Sequence, residues 1–307
     1  MAAENRKASA AAAAALIVAV AGFAFAGRTL LNVRAAQKQL EADIRTLNAE
    51  KDQLTKQIAD HDALMAEKDQ QIAELNACDQ KLADQRAEYY AVCKELEDAV
   101  LAGTADFKIA YLTFDDGPYL ETTREFLQVL KDRDILATFF QIAREGEDYD
   151  ALYHEVYEAG HTIANHTYSH RMHDYLYLSV DNFISDIVKN REFIQEKLGI
   201  TTNIARFPGG SGSALGLKSE IVEELRKLGY GYVDWTAATG DGIAVQSPEE
   251  YLENVMGRYN WGGDLQVVLM HDYSRSTLTA LPAILDGFAA QGYIFLPLYY
   301  ESSVIVK

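Results

Sequence analysis

The sequence predicts a parallel α/β sheet, open or closed into a barrel, preceded by an apolar membrane or signal helix and a long coiled-coil helix. Three observations point there. An uncharged run, Ala8 to Gly27, stands between Lys7 and Arg28. A 4-3 spacing of apolar positions opens at Leu40 and holds to Val100. From Lys108 onward, short β-rich runs alternate with helical ones, the pattern of strand–helix–strand units. The chain therefore divides into residues 1–29, a membrane anchor or signal segment; 30–104, a coiled-coil stalk; and 105–307, a catalytic-sized domain. At 307 residues and 49% hydrophobic composition it can bury a substantial core, which excludes a wholly disordered protein.

The first segment is long enough to cross a bilayer as a helix but is Ala-rich and only moderately apolar. Ala24-Phe25-Ala26 matches the small-x-small pattern of a signal-peptidase site, so the run is either an uncleaved anchor or an export signal cut after Ala26. Charge leaves orientation open, because Arg6 and Lys7 are opposed by Arg28, Arg34 and Lys38.

The second segment carries its seam through Leu40, Ile44, Leu47, Lys51, Leu54, Ile58, His61, Met65, Lys68, Ile72, Leu75, Asp79, Leu82, Arg86, Tyr89, Cys93, Leu96 and Val100. Thirteen of these 18 positions are apolar, and no Pro or Gly interrupts them. That is a coiled-coil signature, about 90 Å long at 1.5 Å per residue. The polar seam residues are expected to set register. Cys93 lies on the seam, either linking two chains or serving as a small core residue. With only Cys78 beside it, cysteine carries no scaffold and no chemistry.

In the third segment, strands are expected at Lys108–Phe114, Ala137–Ile142, Thr162–Ala164, Ile204–Phe207, Tyr230–Thr236, Leu265–Met270 and Tyr293–Leu296. Helices are expected at, among others, Thr122–Lys131, Val180–Leu198, Lys218–Leu228, Pro248–Tyr259 and Ala280–Gln291. Net charge is −18, with 46 acidic against 28 basic residues, which argues against a nucleic-acid binder relying on counterion release.

Parallel α/β folds gather reactive groups where strands end. Here Thr113-Phe114-Asp115-Asp116-Gly117-Pro118 follows the first strand, His166-Thr167-Tyr168-Ser169-His170 the third, Arg206-Phe207-Pro208-Gly209-Gly210-Ser211 the fourth, and His271-Asp272 the sixth. Two histidines four apart, read as one helical turn, can share one ion with a carboxylate completing the set. One such pair is weak evidence alone, so metal binding rests on the accompanying Asp. Adjacent Asp115 and Asp116 repel one another unless something cationic divides their tasks. If Asp116 binds the ion, Asp115 is free to take a proton from water, and Arg206 is a natural partner for it. Two His and one carboxylate suit Zn2+ and also non-haem Fe(II). The glycine run at 209–213 lacks the Lys-Ser/Thr ending of a P-loop, and no Gly-x-Ser-x-Gly elbow occurs. Tyr119, Tyr168, Tyr175, Trp261 and Tyr273 are candidates for stacking on sugar rings.

From Ile109 to Leu298 these ordered motifs resemble the NodB-homology polysaccharide deacetylases, carbohydrate esterase family four. TFDDGP followed by HTxSH is the most specific part of the match. The resemblance implies a distorted (β/α) barrel and removal of N-acetyl groups from an amino-sugar polymer. It also implies one divalent metal ion, Zn2+ first, with Co2+, Ni2+ or Mn2+ as alternatives. Position by position it makes Asp115 the base, Asp116, His166 and His170 the metal ligands, Arg206 the partner of Asp115, and His271 the acid. It also makes the Gly209 N–H an oxyanion donor, in a place where the family usually has Tyr. The fourth motif departs further: Ala238 stands for the family's first Asp and Gly242 for its Trp. Asp241 is expected behind His271, raising its pKa, with Asp234 as the competitor for that role.

The function these readings predict is metal-dependent deacetylation of N-acetylglucosamine in peptidoglycan by an extracytoplasmic, membrane-anchored protein, secreted if cleaved. A homodimer through the coiled coil is the expected assembly. The rivals are deacetylation of another acetylated glycan and an inactive carbohydrate-binding or scaffold protein.

Overall fold

The computed structural model describes residues 2–244 and 246–307; within its first helix the side chains of residues 2–15, 17, 20–27, 75, 76, 78 and 79 lie outside the described set. The expected anchor or signal run and its Ala24-Phe25-Ala26 pattern thus fall almost wholly outside the described side chains. Among the described residues no helix is long and apolar enough to cross a membrane. The chain divides into two compact units, Met1–Leu82 and Ala83–Lys307.

The first unit belongs to a single helix, α1 (Ala2–Leu101). Its seam side chains Leu40, Ile44, Leu47, Leu54, Ile58, Met65 and Ile72 are all exposed. The seam positions Leu75 and Asp79 lie outside the described side chains. Pairs four residues apart, such as Gln39 with Asp43 and Gln70 with Glu74, brace the polar face.

The second unit is a parallel sheet with helices. In chain order it contains β1 (Lys108–Asp115), α2 (Thr123–Lys131), β2 (Thr138–Gln141), α3 (Glu147–Glu158), β3 (Thr162–Asn165), α4 (Val180–Leu198), β4 (Ile204–Ala205) and α5 (Lys218–Lys227). There follow β5 (Gly231–Tyr232), β6 (Ala237–Ala238), α6 (Pro248–Glu253), β7 (Leu265–His271), α7 (Arg275–Ala290) and β8 (Tyr293–Phe295). Local chemistry sets several boundaries. Ser179 caps α4 by accepting from Asn182 N–H, and Gly199 ends it in the left-handed region at φ 70°. Ser247 and Glu250 form a reciprocal capping box with Pro248 at the first turn of α6.

Strand order is β5-β4-β3-β2-β1-β7-β6, with β8 pairing the start of β1, and every pairing between these strands is parallel. Of the expected strand Tyr230–Thr236 only β5 forms, and the chain then crosses to β6, just past that span, at the opposite edge. Five residue steps from Tyr232 to Ala237 span at most about 18 Å, so the two edges must curl toward each other. The sheet is a curled, incompletely closed barrel. The strand breaks because its carbonyls turn inward: Arg206 Nε donates to Val233 O at 3.1 Å and Nη2 to Asp234 O at 3.4 Å, taking acceptors a ladder would use.

Alternation along β1 builds two cores. Ala110, Leu112 and Phe114 pack outward against helices with Phe126, Leu130 and Leu281. Ile109 and Tyr111 point inward with Phe140, Ala164, Val233 and Val267. The inner core is completed by the end of α1 and by the C-terminal tail: Cys93 is fully buried there beside Leu298, Tyr299 and Ile305, with Tyr89, Leu96 and Val100 half-buried around it. The expected boundary at 104/105 thus falls inside this unit. Arg86, read as a register-setting seam residue, instead donates to Gly160 O and His161 O at 3.2 and 3.1 Å, just beyond the C-terminus of α3.

Candidate active site

Asp115 closes β1 and shares its inward face with Tyr111 and Thr113. Arg206, fully buried after β4, gives one nitrogen, Nη1, to Asp115 Oδ1 at 2.9 Å and to Thr113 Oγ1 at 2.7 Å. Its guanidinium lies over the Phe140 ring, 4.1 Å from the centroid. A buried arginine needs its counter-charge and its donors filled, and Asp115, Thr113 and the 233–234 carbonyls do both. Thr113 stands in the first strand-end motif, but its role as an Arg206 partner is not assigned from the sequence; its place two residues before Asp115 on one strand is the signal for it.

Asp116 has a positive φ of 71°, which turns the second carboxylate away from the strand. Its Oδ1 lies 3.4 Å from His166 Nε2 and 3.2 Å from His170 Nε2. The two histidines are not on a helical turn as expected. They sit in the loop after β3, where Thr167 and His170 adopt positive φ of 68° and 54°, and Asn165 and Asp186 side chains accept loop N–H groups. His166 Nδ1 is 3.0 Å from Arg206 O. A carbonyl only accepts, so Nδ1 carries a proton and Nε2 is the nitrogen turned toward Asp116. Burial, first of all, lowers the His170 pKa and favours its neutral ring.

Buried Asp116 Oδ1 has no hydrogen-bond partner. A carboxylate oxygen and two imidazole nitrogens that converge at this distance form a ligand set for a shared cation. A tetrahedral shell with metal–ligand bonds of about 2.0–2.1 Å has edges of about 3.3–3.4 Å, which the two separations match. Asp116, His166 and His170 are the one metal-binding cluster found among the described residues, and they fit a divalent ion.

His271 ends β7. Its Nδ1 is 2.8 Å from Asp241 Oδ1, and Asp241 Oδ2 accepts from His271 N–H at 3.0 Å and Thr277 Oγ1 at 2.6 Å. Burial alone would lower the His271 pKa, but the hydrogen bond and charge of Asp241, with Asp115 and Asp116 nearby, raise it to about 9. Its Nε2 faces the site, 3.8 Å from Asp116 Oδ2. Asp234 does something else: it accepts from Ser211. Gly242 lies against the His271 ring, where a Cβ would come within 2.7 Å of Cε1, so no larger residue fits that approach. Gly209, at φ 69°, is covered by the Met172 side chain, another neighbour the sequence did not disclose. Tyr119 and Tyr273 meet edge-to-face with centroids 5.3 Å apart, and Tyr273 lies 5.0 Å from the His271 ring.

Asp115, Asp116, His166, His170, Arg206, Asp241 and His271 therefore converge at one end of the sheet, whereas Trp261 pairs with Thr236 just before β6. Comparison with known proteins agrees with what converges there. Residues 102–233 match the family model described as polysaccharide deacetylase. A peptidoglycan-N-acetylglucosamine deacetylase of Bacillus cereus is 32% identical over 203 residues, covering 64% of this chain and 71% of the relative. The chain belongs to the polysaccharide deacetylase family. It is a hydrolase of the deacetylase class. The peptidoglycan-N-acetylmuramic acid deacetylase PdaA of Bacillus subtilis is 29% identical, over 66% of this chain and 74% of that protein. Among solved structures, the catalytic domain of a peptidoglycan N-acetylglucosamine deacetylase from Eubacterium rectale superposes with a TM-score of 0.59 at 33% identity, covering 67% of this chain and 97% of that one. A Streptococcus mutans esterase of carbohydrate esterase family four gives 0.57 at 29%, over 63% and 87%.

Proposed function

We propose that this deacetylase hydrolyses the N-acetyl group of N-acetylglucosamine in peptidoglycan and depends on one divalent metal ion, Zn2+ first. The observation that carries the reading is the orphaned Asp116 Oδ1 between two imidazole nitrogens, with Asp115 and His271 each within 4 Å of that cluster. Held by Asp116, His166 and His170, the ion supplies a Lewis acid and makes bound water more acidic. Asp115, oriented by Arg206, takes the proton of the attacking water. The Gly209 N–H donates to the oxygen that becomes negative on the acetyl carbon. Protonated His271 delivers its Nε2 proton to the departing amine, and Asp241 holds the ring in the tautomer and charge that this requires.

The polymer assignment leans on the relatives that act on peptidoglycan. The uncharged run at 8–27 supports an extracytoplasmic protein, membrane-anchored or, if cleaved after Ala26, secreted. The exposed stripe from Leu40 to Ile72 favours a homodimer, since a mainly apolar seam of this length is costly in water even with Lys51, His61 and Lys68 on it. The test is acetate release by the full chain from peptidoglycan, N-acetylglucosamine oligomers and acetylated xylan, before and after chelation. Chelator-sensitive release from peptidoglycan is expected. Release from xylan alone would redirect the substrate, and no release from any would reject the enzymatic reading.

A further inference from the structure

The crossing segment between β5 and β6 carries a carboxyl group that the deacetylation steps above do not use. Asp234 Oδ1 accepts from Ser211 N–H at 2.8 Å, and Oδ2 accepts from Ser211 Oγ at 2.5 Å. Both oxygens of one side chain are thus spent on one residue of the Pro208–Ser211 turn. The rest of the turn is pinned as closely. Tyr177 OH donates to Pro208 O at 2.7 Å, Ser213 Oγ to Gly209 O at 2.8 Å, and Gly210 N–H to Phe207 O at 2.8 Å. Among the described residues, the Gly209 N–H has no such partner. A turn with its carbonyls and flanking N–H groups tied down, and one N–H left over on the loop whose Arg206 O meets His166 Nδ1, is a preorganised donor.

We propose that Asp234 is a positioning residue that fixes the Gly209 N–H toward the developing oxyanion; this rests on the deacetylase reading above. The same crossing segment supplies the Val233 and Asp234 carbonyls that receive Arg206, so it ties the oxyanion donor and the partner of the base to one support. The role differs in kind from that of Asp241, which touches His271 directly. Misplacing a catalytic group by about 1 Å costs about 100-fold, and losing an oxyanion donor costs about 100- to 1,000-fold, so loosening the donor falls at or below the lower figure.

The experiment is steady-state kinetics of full-length variants on an N-acetylglucosamine oligomer, with zinc content and the pH–rate profile recorded for each. Asp234→Ala is expected to lower kcat by about 10- to 100-fold, with KM within about twofold, zinc content unchanged and both limbs of the profile in place. Asp234→Asn, whose amide can accept from Ser211 N–H and donate to Ser211 Oγ, is expected to restore most of kcat. Ser211→Ala keeps the backbone bond and should lose only several-fold, which gives a result even if Asp234→Ala fails to fold. Wild-type kcat in Asp234→Ala or in Ser211→Ala overturns the proposal, as does loss of zinc or an equal loss in Asp234→Asn. Asp115→Asn is run alongside. If it abolishes turnover while Asp234→Ala does not, only the positioning role is rejected; if it turns over normally, the deacetylase reading falls and the positioning role with it.

Discussion

The two ends of the barrel interior bury carboxyl groups in opposite ways. At the lower end Glu97, from the last turns of α1, reaches in and is saturated. Its Oε2 accepts from Tyr111 OH at 2.6 Å and Tyr299 OH at 2.5 Å, and its Oε1 from Ser303 N–H at 2.6 Å. Burial alone would raise its pKa, yet these bonds bring it below the usual carboxylate value. At the upper end, one residue past the strand that carries Tyr111, Asp116 Oδ1 is buried and accepts no hydrogen bond. A saturated network stabilises a single structure, whereas an unsaturated one is stable only with something added. The lower carboxylate is therefore structural, and the upper cluster is where a ligand and chemistry belong.

The largest effect that could break this contrast is at Asp115. Asp115→Asn should cut turnover by about 1,000- to 10,000-fold, because an amide cannot take the proton, while metal content stays at the wild-type level. Asp116→Asn should instead release metal, as should His166→Ala. Elemental analysis beside the kinetics separates the two outcomes. Full metal retained in a His166→Ala/His170→Ala double variant would remove the upper cluster from the argument.

Glu97 should behave in the other way. Glu97→Ala leaves Tyr111 OH, Tyr299 OH and the Ser303 N–H without their acceptor, at a cost of about 2–4 kcal/mol in urea unfolding. Turnover per folded molecule should stay within about twofold of wild type. A large loss of kcat with unchanged stability would mean that the two ends are not the separate systems described.

The two ends also differ in how far the sequence disclosed them. The upper end was legible because each motif follows a strand, and adjacent carboxylates or spaced histidines have few other uses at such places. What it hid were the backbone devices: the positive φ values at Asp116 and His170, and the break of an expected strand at Val233–Thr236, where Arg206 takes the carbonyls. The lower end was not legible. Glu97 is one acidic residue among many on a helix, and the 4-3 spacing from Leu40 to Val100 gives no sign of where its surroundings change. Leu40 to Ile72 are exposed, yet Tyr89, Cys93, Leu96 and Val100, on the same spacing, pack into the barrel. Periodicity reports that a face is apolar, not what covers it.

A smaller effect sharpens the upper end. His271 must be protonated to deliver a proton, so activity falls as pH rises through its pKa, which Asp241 helps to hold near 9. Asp241→Asn removes the charge that favours the imidazolium. The alkaline limb of the pH–rate profile should move to lower pH by about one to two units, with metal content unchanged. An unmoved limb would place the control of His271 elsewhere.

The smallest effect concerns Cys93, and it tests whether the lower end stays closed. The thiol is free, fully buried, and pushed up to about 11, chiefly by burial. The thiolate is the nucleophile, so at pH 8 about one Cys93 in a thousand would be reactive even if reagent reached it. In the native chain, iodoacetamide should label Cys93 only as fast as the barrel unfolds, and labelling should accelerate in Glu97→Ala by the factor by which unfolding is promoted. Cys93→Ala removes little volume and should cost only about 1 kcal/mol. Fast labelling of the wild-type chain without denaturant would mean that the last turns of α1 lift from the barrel on their own. The saturated end would then be the mobile one, and the contrast with the upper cluster would have to be drawn the other way round.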